Sequence, residues 1–199
     1  MRRHNEVVKC LHLLMAKKYG FTRNTKVRTH SVQEVMTNDN TEILVDTRVA
    51  TDVKVSHNKP DILIVDKKRK KIIIIEVGIT NLDLLSVVEN EKLRKYDFLA
   101  NELGLIHKCR TKIIPYVMTW DGVMTNFHKK YLKELDVQPH LEAYIQSLVL
   151  KKTLESISLD RRRGYDMDDA KEKELDEAVT SLVDLSQRAL PTAISLQDN

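Results

Sequence analysis

The sequence predicts a mixed α/β fold, a central sheet flanked by helices, and three observations predict it. Two short runs rich in β-branched residues, Ile62–Val65 and Ile72–Val77, stand on either side of Asp66-Lys67-Lys68-Arg69-Lys70-Lys71 and read as neighbouring strands joined by a basic hairpin loop. Apolar residues at spacings of three and four, before and after these runs, read as helices. The segments follow one another as α-β-β-β-β-α-β-α-α, the alternation of a layered α/β domain.

In order along the chain, Asn5 to Tyr19 is a helix with Val7, Val8, Leu11, Leu14 and Met15 on one side, and Gly20 suits its C-cap. Strands are expected at Thr41–Thr47 and Ala50–Val55. Pro60 cannot donate to a ladder and fits the first position of the strand that follows it. Leu82 to Leu103 reads as one long helix with Gly104 at its end. Lys112–Thr119 reads as another buried strand. Asn126–Leu135 and Leu141–Leu154 are the last two helices of this part.

The chain has 199 residues, 42% of them hydrophobic, enough for one domain of ordinary size plus an appendage. Charge divides it. Residues 160–199 carry six Lys/Arg against ten Asp/Glu, a balance of −4, which leaves 27 against 19, or +8, for residues 1–159. The boundary falls at Asp160-Arg161-Arg162-Arg163-Gly164, which reads as a linker. The tail beyond it places Leu175, Val179, Leu182 and Leu185 at helical spacing, and Pro191 to Asn199 reads as a frayed end. A basic body suits an anionic partner, and the acidic tail suits a solvated helix, an oligomer contact or a mimic lying across the basic part. Two distant cysteines, Cys10 and Cys109, exclude a disulfide scaffold. No apolar run approaches the ~20 residues of a membrane span, and the first residues lack a signal-peptide core. The expectation is an intracellular protein without a membrane partner.

The residues that point to chemistry are Lys59-Pro60-Asp61 and, after fourteen intervening residues, Glu76. If the two strands pair antiparallel, the start of the first lies beside the end of the second, and Asp61 meets Glu76 at one edge of the sheet. Two converging carboxylates make an oxygen-rich site for Mg²⁺ or Mn²⁺. Such an ion can polarise a phosphate and generate the attacking hydroxide. Glu76 directly follows four isoleucines. A charge there either marks the strand's end in water or needs a partner. Leu85, Val88, Lys92, Tyr96, Leu99 and Leu103 form one helical stripe, with Lys92 at its centre. Lys92 therefore either snorkels to the rim or reaches a buried anion, and Lys95, about sixty degrees away, belongs at the rim.

Lys59-Pro60-Asp61…Glu76, followed by Glu91-Lys92-Leu93-Arg94-Lys95-Tyr96 on a helix, resembles the restriction-like endonuclease domain of site-specific non-LTR retrotransposons, a branch of the PD-(D/E)XK nuclease superfamily. Arg3-His4-Asn5-Glu6-Val7-Val8 is similar to the opening of that domain's first helix. Ile113-Ile114-Pro115-Tyr116-Val117…Asp121-Gly122 is similar to its later strand and turn. The resemblance spans about Arg3 to Gly122. It implies a restriction-endonuclease-like fold and a Mg²⁺- or Mn²⁺-dependent endodeoxyribonuclease that nicks target DNA for target-primed reverse transcription. Asp61 and Glu76 would hold the metal, and Lys92 or Lys95 would be the catalytic lysine, with Lys92 preferred. Arg3, His4, Lys59 and Tyr96 would face the DNA. Double-stranded DNA, a homodimer, a nuclear setting and a reverse transcriptase from a larger polyprotein are the further expectations. One departure stands out: the superfamily's usual lysine, two residues after the acid, is replaced by Gly78. A DNA-binding module without catalysis, and a resolvase or repair nuclease of the same superfamily, are therefore kept as alternatives.

Other motifs carry less. Lys67-Lys68-Arg69-Lys70-Lys71 reads as a solvated loop first and a grip on flanking duplex second, and it lies at the far end of its strands from the acids. Cys10-Leu11-His12 and His107-Lys108-Cys109 lack the spacing of structural zinc ligands. Trp120 and Tyr116 read as core or rim aromatics. No Gly-rich phosphate loop, nucleophile elbow or H-E-x-x-H is present, which argues against NTPase, esterase and zinc-protease chemistry.

Overall fold

A computed structural model describes residues 2–23 and 26–162. The elements are α1 (Arg2–Lys18), β1 (Val35–Thr37), β2 (Thr41–Val45), β3 (Ile62–Asp66), β4 (Lys71–Thr80), α2 (Leu85–Lys95), α3 (Asp97–His107), β5 (Arg110–Thr119), α4 (His128–Leu135) and α5 (Pro139–Arg162). The chain is thus mixed α/β, with a five-stranded sheet in the order β1-β2-β3-β4-β5. The first four strands form an antiparallel meander. β4 and β5 pair in parallel, which requires the α2–α3 crossover between them.

The isoleucine run explains the layering. Alternate side chains point to opposite faces of a strand, and a strand buried on both sides needs no polar alternation. Ile73, Ile75 and Val77 join one core with Val7, Leu11 and Met15 of α1, Leu132 of α4 and Ile145 and Val149 of α5. Ile72 and Ile74 join a second core with Tyr96, Leu99, Ala100 and Leu103. The sheet is therefore sandwiched between α1, α4 and α5 on one face and α2 and α3 on the other. Glu76, two residues beyond Ile74, falls on the α2–α3 face.

Three expectations change. No strand forms at 50–55. Val49 N–H donates to Asn58 O in an irregular segment that leaves Val55 as a buried plug against the second core. The remaining strand is instead β1, a short edge strand on β2. The long helix is broken at Tyr96 (φ −108°, ψ 5°), whose hydroxyl donates to Lys59 O at 2.9 Å. Its second half runs to His107, so Gly104 lies within α3, and the C-cap is the left-handed Lys108. Gly20 does close α1, with a φ of +77° and Phe21 N–H donating to Ala16 O. At the other end, α5 continues through 160–162, where a linker was expected to begin. Residues 163–199, with the proposed tail helix, lie outside the described residues.

Two buried histidines, His12 and His128, shape the response to acid. His128 is buried, and its Nε2 has no partner among the described residues. Its ring meets Tyr116 edge-on at 4.7 Å. Burial holds the pKa of His128 down to about 4. Burial also holds His12, whose Nδ1 lies 2.7 Å from His30 Nε2, down to about 4, and the nearby His30 adds to the effect. Both folded values lie below that of an unfolded histidine. The unfolded chain thus binds more protons between pH 6.5 and 4, and stability present above pH 6.5 is lost as pH falls. His128→Phe should fill the same space without titrating. Its stability relative to the parent should grow by about 2 kcal/mol between pH 7 and pH 5. Denaturant melts at the two pH values measure this, and an unchanged difference would assign the acid response elsewhere.

Candidate active site

The acids meet because β4 outruns β3. Ile62 pairs with Ile75, so the residue before β3, Asp61, arrives beside Glu76, while β4 continues four residues further to Thr80. Beyond the end of β3 the β4 backbone has no ladder partner on that side, and Asp61 supplies one. Its Oδ2 accepts Val77 N–H at 2.8 Å, and its own N–H donates to Glu76 Oε1 at 3.0 Å. Two side-chain-to-backbone bonds thus lock the carboxylates across the end of the antiparallel pair. Pro60, also buried, sets the approach.

Glu76 does not end its strand in water. It is 1% exposed and accepts from Lys92 Nζ through Oε2 at 2.9 Å. Lys95 Nζ stands 3.9 Å from the same oxygen and lies 4.8 Å from the centroid of the Tyr96 ring. The Lys92 side chain is 23% exposed and that of Lys95 33%, so Lys92 is the inner of the two. Burial, and then the charge of Glu76, push the Tyr96 hydroxyl well above the ordinary tyrosine range.

Gly78 explains how these lysines reach the acid. A Cβ there would lie 3.1 and 3.2 Å from the γ-carbons of Val117 and 3.3 Å from Val88 Cγ1. The bare backbone lets α2 pack directly on the sheet. A lysine at 78 would push α2 away, and Lys92 arrives from that helix instead.

His4 completes the cluster from the opposite layer. Its Nε2 lies 3.0 Å from Asp61 Oδ2, and because an ionised carboxylate only accepts, the proton sits on Nε2. The Asp61 hydrogen bond raises the His4 pKa against the opposing effect of burial. For Asp61, burial pushes upward. The His4 bond and charge, the Val77 N–H and Lys92 outweigh it and hold the carboxyl below its usual range. A third carboxylate, Asp46, donates its backbone N–H to Asp61 O but turns outward to Lys59 Nζ at 2.8 Å.

The expected DNA-facing residues divide. His4 joins the acids. Lys59 pairs with exposed Asp46. Arg3 turns to α5, donating to Thr153 Oγ1 at 3.1 Å. Tyr96 is corrected: it is 1% exposed, its hydroxyl is committed to Lys59 O, and it belongs to the core rather than to a DNA surface. Tyr116 is likewise core, whereas Trp120 is half exposed. The bond between His4 and Asp61 spans 57 positions, and spacing carries no signal for it.

The donor set suits a hard divalent cation. Asp61 Oδ1 accepts no hydrogen bond among the described residues, and both carboxylates offer only oxygen. No group of three or more His, Cys, Asp or Glu side chains arranged to hold a metal occurs among the described residues, so the remaining ligands would be waters and substrate oxygens, as Mg²⁺ prefers. Lys92 would have to yield part of Glu76 to the ion.

No family model matches the chain, and no curated protein does. Among solved structures the chain is similar to an N-terminal domain of a reptarenavirus L protein, at 13% identity over 87% of this chain and 74% of that one, with a TM-score of 0.32.

Proposed function

We propose that the chain is a metal-dependent endonuclease of the PD-(D/E)XK type that hydrolyses phosphodiesters in double-stranded DNA. The observation that carries this reading is the convergence of Asp61, Glu76 and Lys92 at the point where β4 outruns β3. Asp61 and Glu76 would hold Mg²⁺ or Mn²⁺, which when bound polarises a phosphate and lowers the pKa of a coordinated water. The chain's own residues then have separable tasks. His4 and Val77 N–H orient Asp61. Lys92 brings an ammonium beside the acid, where it can neutralise charge growing on a phosphate oxygen or orient the attacking water. Lys95 sits further out as a second cation. Nicking for target-primed reverse transcription, a nuclear setting and a reverse transcriptase from a larger polyprotein extend the proposal on the strength of the sequence resemblance alone.

A second reading rests on the same ion pair. Lys92 and Glu76 could simply fasten α2 to the sheet, leaving a DNA-binding module without catalysis. Supercoiled plasmid separates the two. The parent protein should nick it with Mg²⁺ or Mn²⁺ and stop in EDTA, and Asp61→Ala should not nick. Equal nicking by both proteins would trace the activity to a contaminant and sink the assignment.

A further inference from the structure

At the end of β4 away from the acids, two loops are brought side by side by the parallel pairing of β4 with β5. Lys71 faces Arg110 in the register, and Arg110 N–H donates to Lys70 O at 3.0 Å. The β3–β4 loop and the α3–β5 connection together line a cleft of about 530 Å³ with Lys68, Arg69, Lys70, Lys108, Cys109 and Arg110. Five of these six are cationic. Asp66, at the base of the loop, is already engaged by the backbone and guanidinium of Arg69.

The backbone makes the lysines notable. Lys70 has a φ of 48° and Lys108 a φ of 50°, both in the left-handed region. That region costs a residue with a Cβ about 1 kcal/mol or more, and glycine is the cheapest occupant. Lys108 is the cap of α3, where Cys109 N–H returns to Gly104 O, a position that favours glycine in other helices. Lys70 closes a hairpin loop, with its N–H directed to Lys67 O. A lysine offers one thing there that glycine does not, a long cationic side chain. Both such lysines open on the same cleft.

We propose that this cleft binds the sugar–phosphate backbone of duplex nucleic acid, at a contact distinct from the acidic site. Lys71 and Glu76 are five strand residues apart, about 17 Å. That distance matches about five base pairs of duplex rise, so one duplex could touch both places. At about 530 Å³ the cleft is too large for a single phosphate and has room for a run of backbone phosphates. The choice of duplex as occupant rests on the proposed nucleic-acid reading of the acidic site, whereas the contact itself is a second one that binding without cleavage can test.

The test is fluorescence anisotropy of a labelled 20-base-pair duplex with the full chain in EDTA, where no cleavage intervenes. In Lys70→Gly/Lys108→Gly the backbone keeps its conformation with less strain, so the melting temperature should hold or rise. Affinity should fall about tenfold or more at low salt. The slope of log affinity against log salt should become shallower by about two. An unchanged affinity and slope would overturn the proposal. Tripolyphosphate at micromolar concentration, and phosphatidylcholine vesicles with 30% phosphatidylserine, should neither displace the duplex nor bind at the cleft. Displacement by tripolyphosphate would make the occupant a small polyanion. Vesicle binding lost in the double variant would make it a lipid surface. Either result overturns the nucleic-acid assignment. Plasmid nicking by Asp61→Ala is read separately, so that failure of the catalytic proposal leaves this one standing or falling on its own.

Discussion

Glu76→Gln should reduce plasmid nicking by about a thousandfold or more while the chain still folds. That factor corresponds to about 4 kcal/mol of transition-state stabilisation, within the range of losing a metal-binding carboxylate. Glutamine keeps the size of the side chain and an oxygen that can still accept the Asp61 N–H, now received by Glu76 Oε1 at 3.0 Å. It removes the negative charge that faces Lys92 at 2.9 Å and Lys95 at 3.9 Å. Two partly solvated ammonium groups would then stand at a buried amide. Removing one member of a fully buried pair costs about 3–5 kcal/mol, and the exposure of both lysines reduces this to about 1–3 kcal/mol. Urea melts would register the stability change and the plasmid assay the catalytic one. Nicking at the parental rate would show that Glu76 is only the counter-ion that holds α2 to the sheet.

What sequence could show about this site follows from how local each signal is. Asp61 and Glu76 were within reach because an apolar run, a basic loop and a second apolar run define a hairpin, and antiparallel register then puts Asp61 opposite Glu76. Lys92 was within reach because a helical stripe keeps its spacing across the break at Tyr96. The break itself left no trace. Ala100 N–H still returns to Tyr96 O, so the apolar period continues through the interruption. β1 is three residues long at the sheet edge, with Val35 half exposed, and a strand that buries so little has no pattern to read. The supposed strand at 50–55 shows the reverse case. Val53 and Val55 have strand propensity, but the path from β2 to Pro60 required an irregular segment, and tertiary demand prevailed. His4 on Asp61, and Val88 against Gly78, depend on how layers stack over the sheet. No local pattern encodes either contact.

The two lysines of α2 should not be equivalent. Lys92→Ala should lower nicking by about a hundredfold or more, and Lys95→Ala by less than about tenfold. Position separates the two lysines. Lys92 makes the hydrogen bond to Glu76 Oε2 from the inner side of the helix, whereas Lys95 reaches the same oxygen only at 3.9 Å and is also drawn to the Tyr96 ring. A purely structural role for Lys92 shares one forecast with a catalytic one. If the ammonium only offsets the buried carboxylate, Lys92→Met would destabilise the fold, and Glu76→Gln/Lys92→Met would recover much of that loss because both charges leave together. That recovery is expected in either case. What distinguishes the roles is single-turnover cleavage at saturating metal, where Lys92→Arg should restore stability more fully than rate, since a guanidinium can pair with the carboxylate but carries its charge in a different geometry. Loss of nicking in Lys95→Ala alone would move the catalytic charge to the outer lysine, and the inward stripe of α2 would then serve packing only.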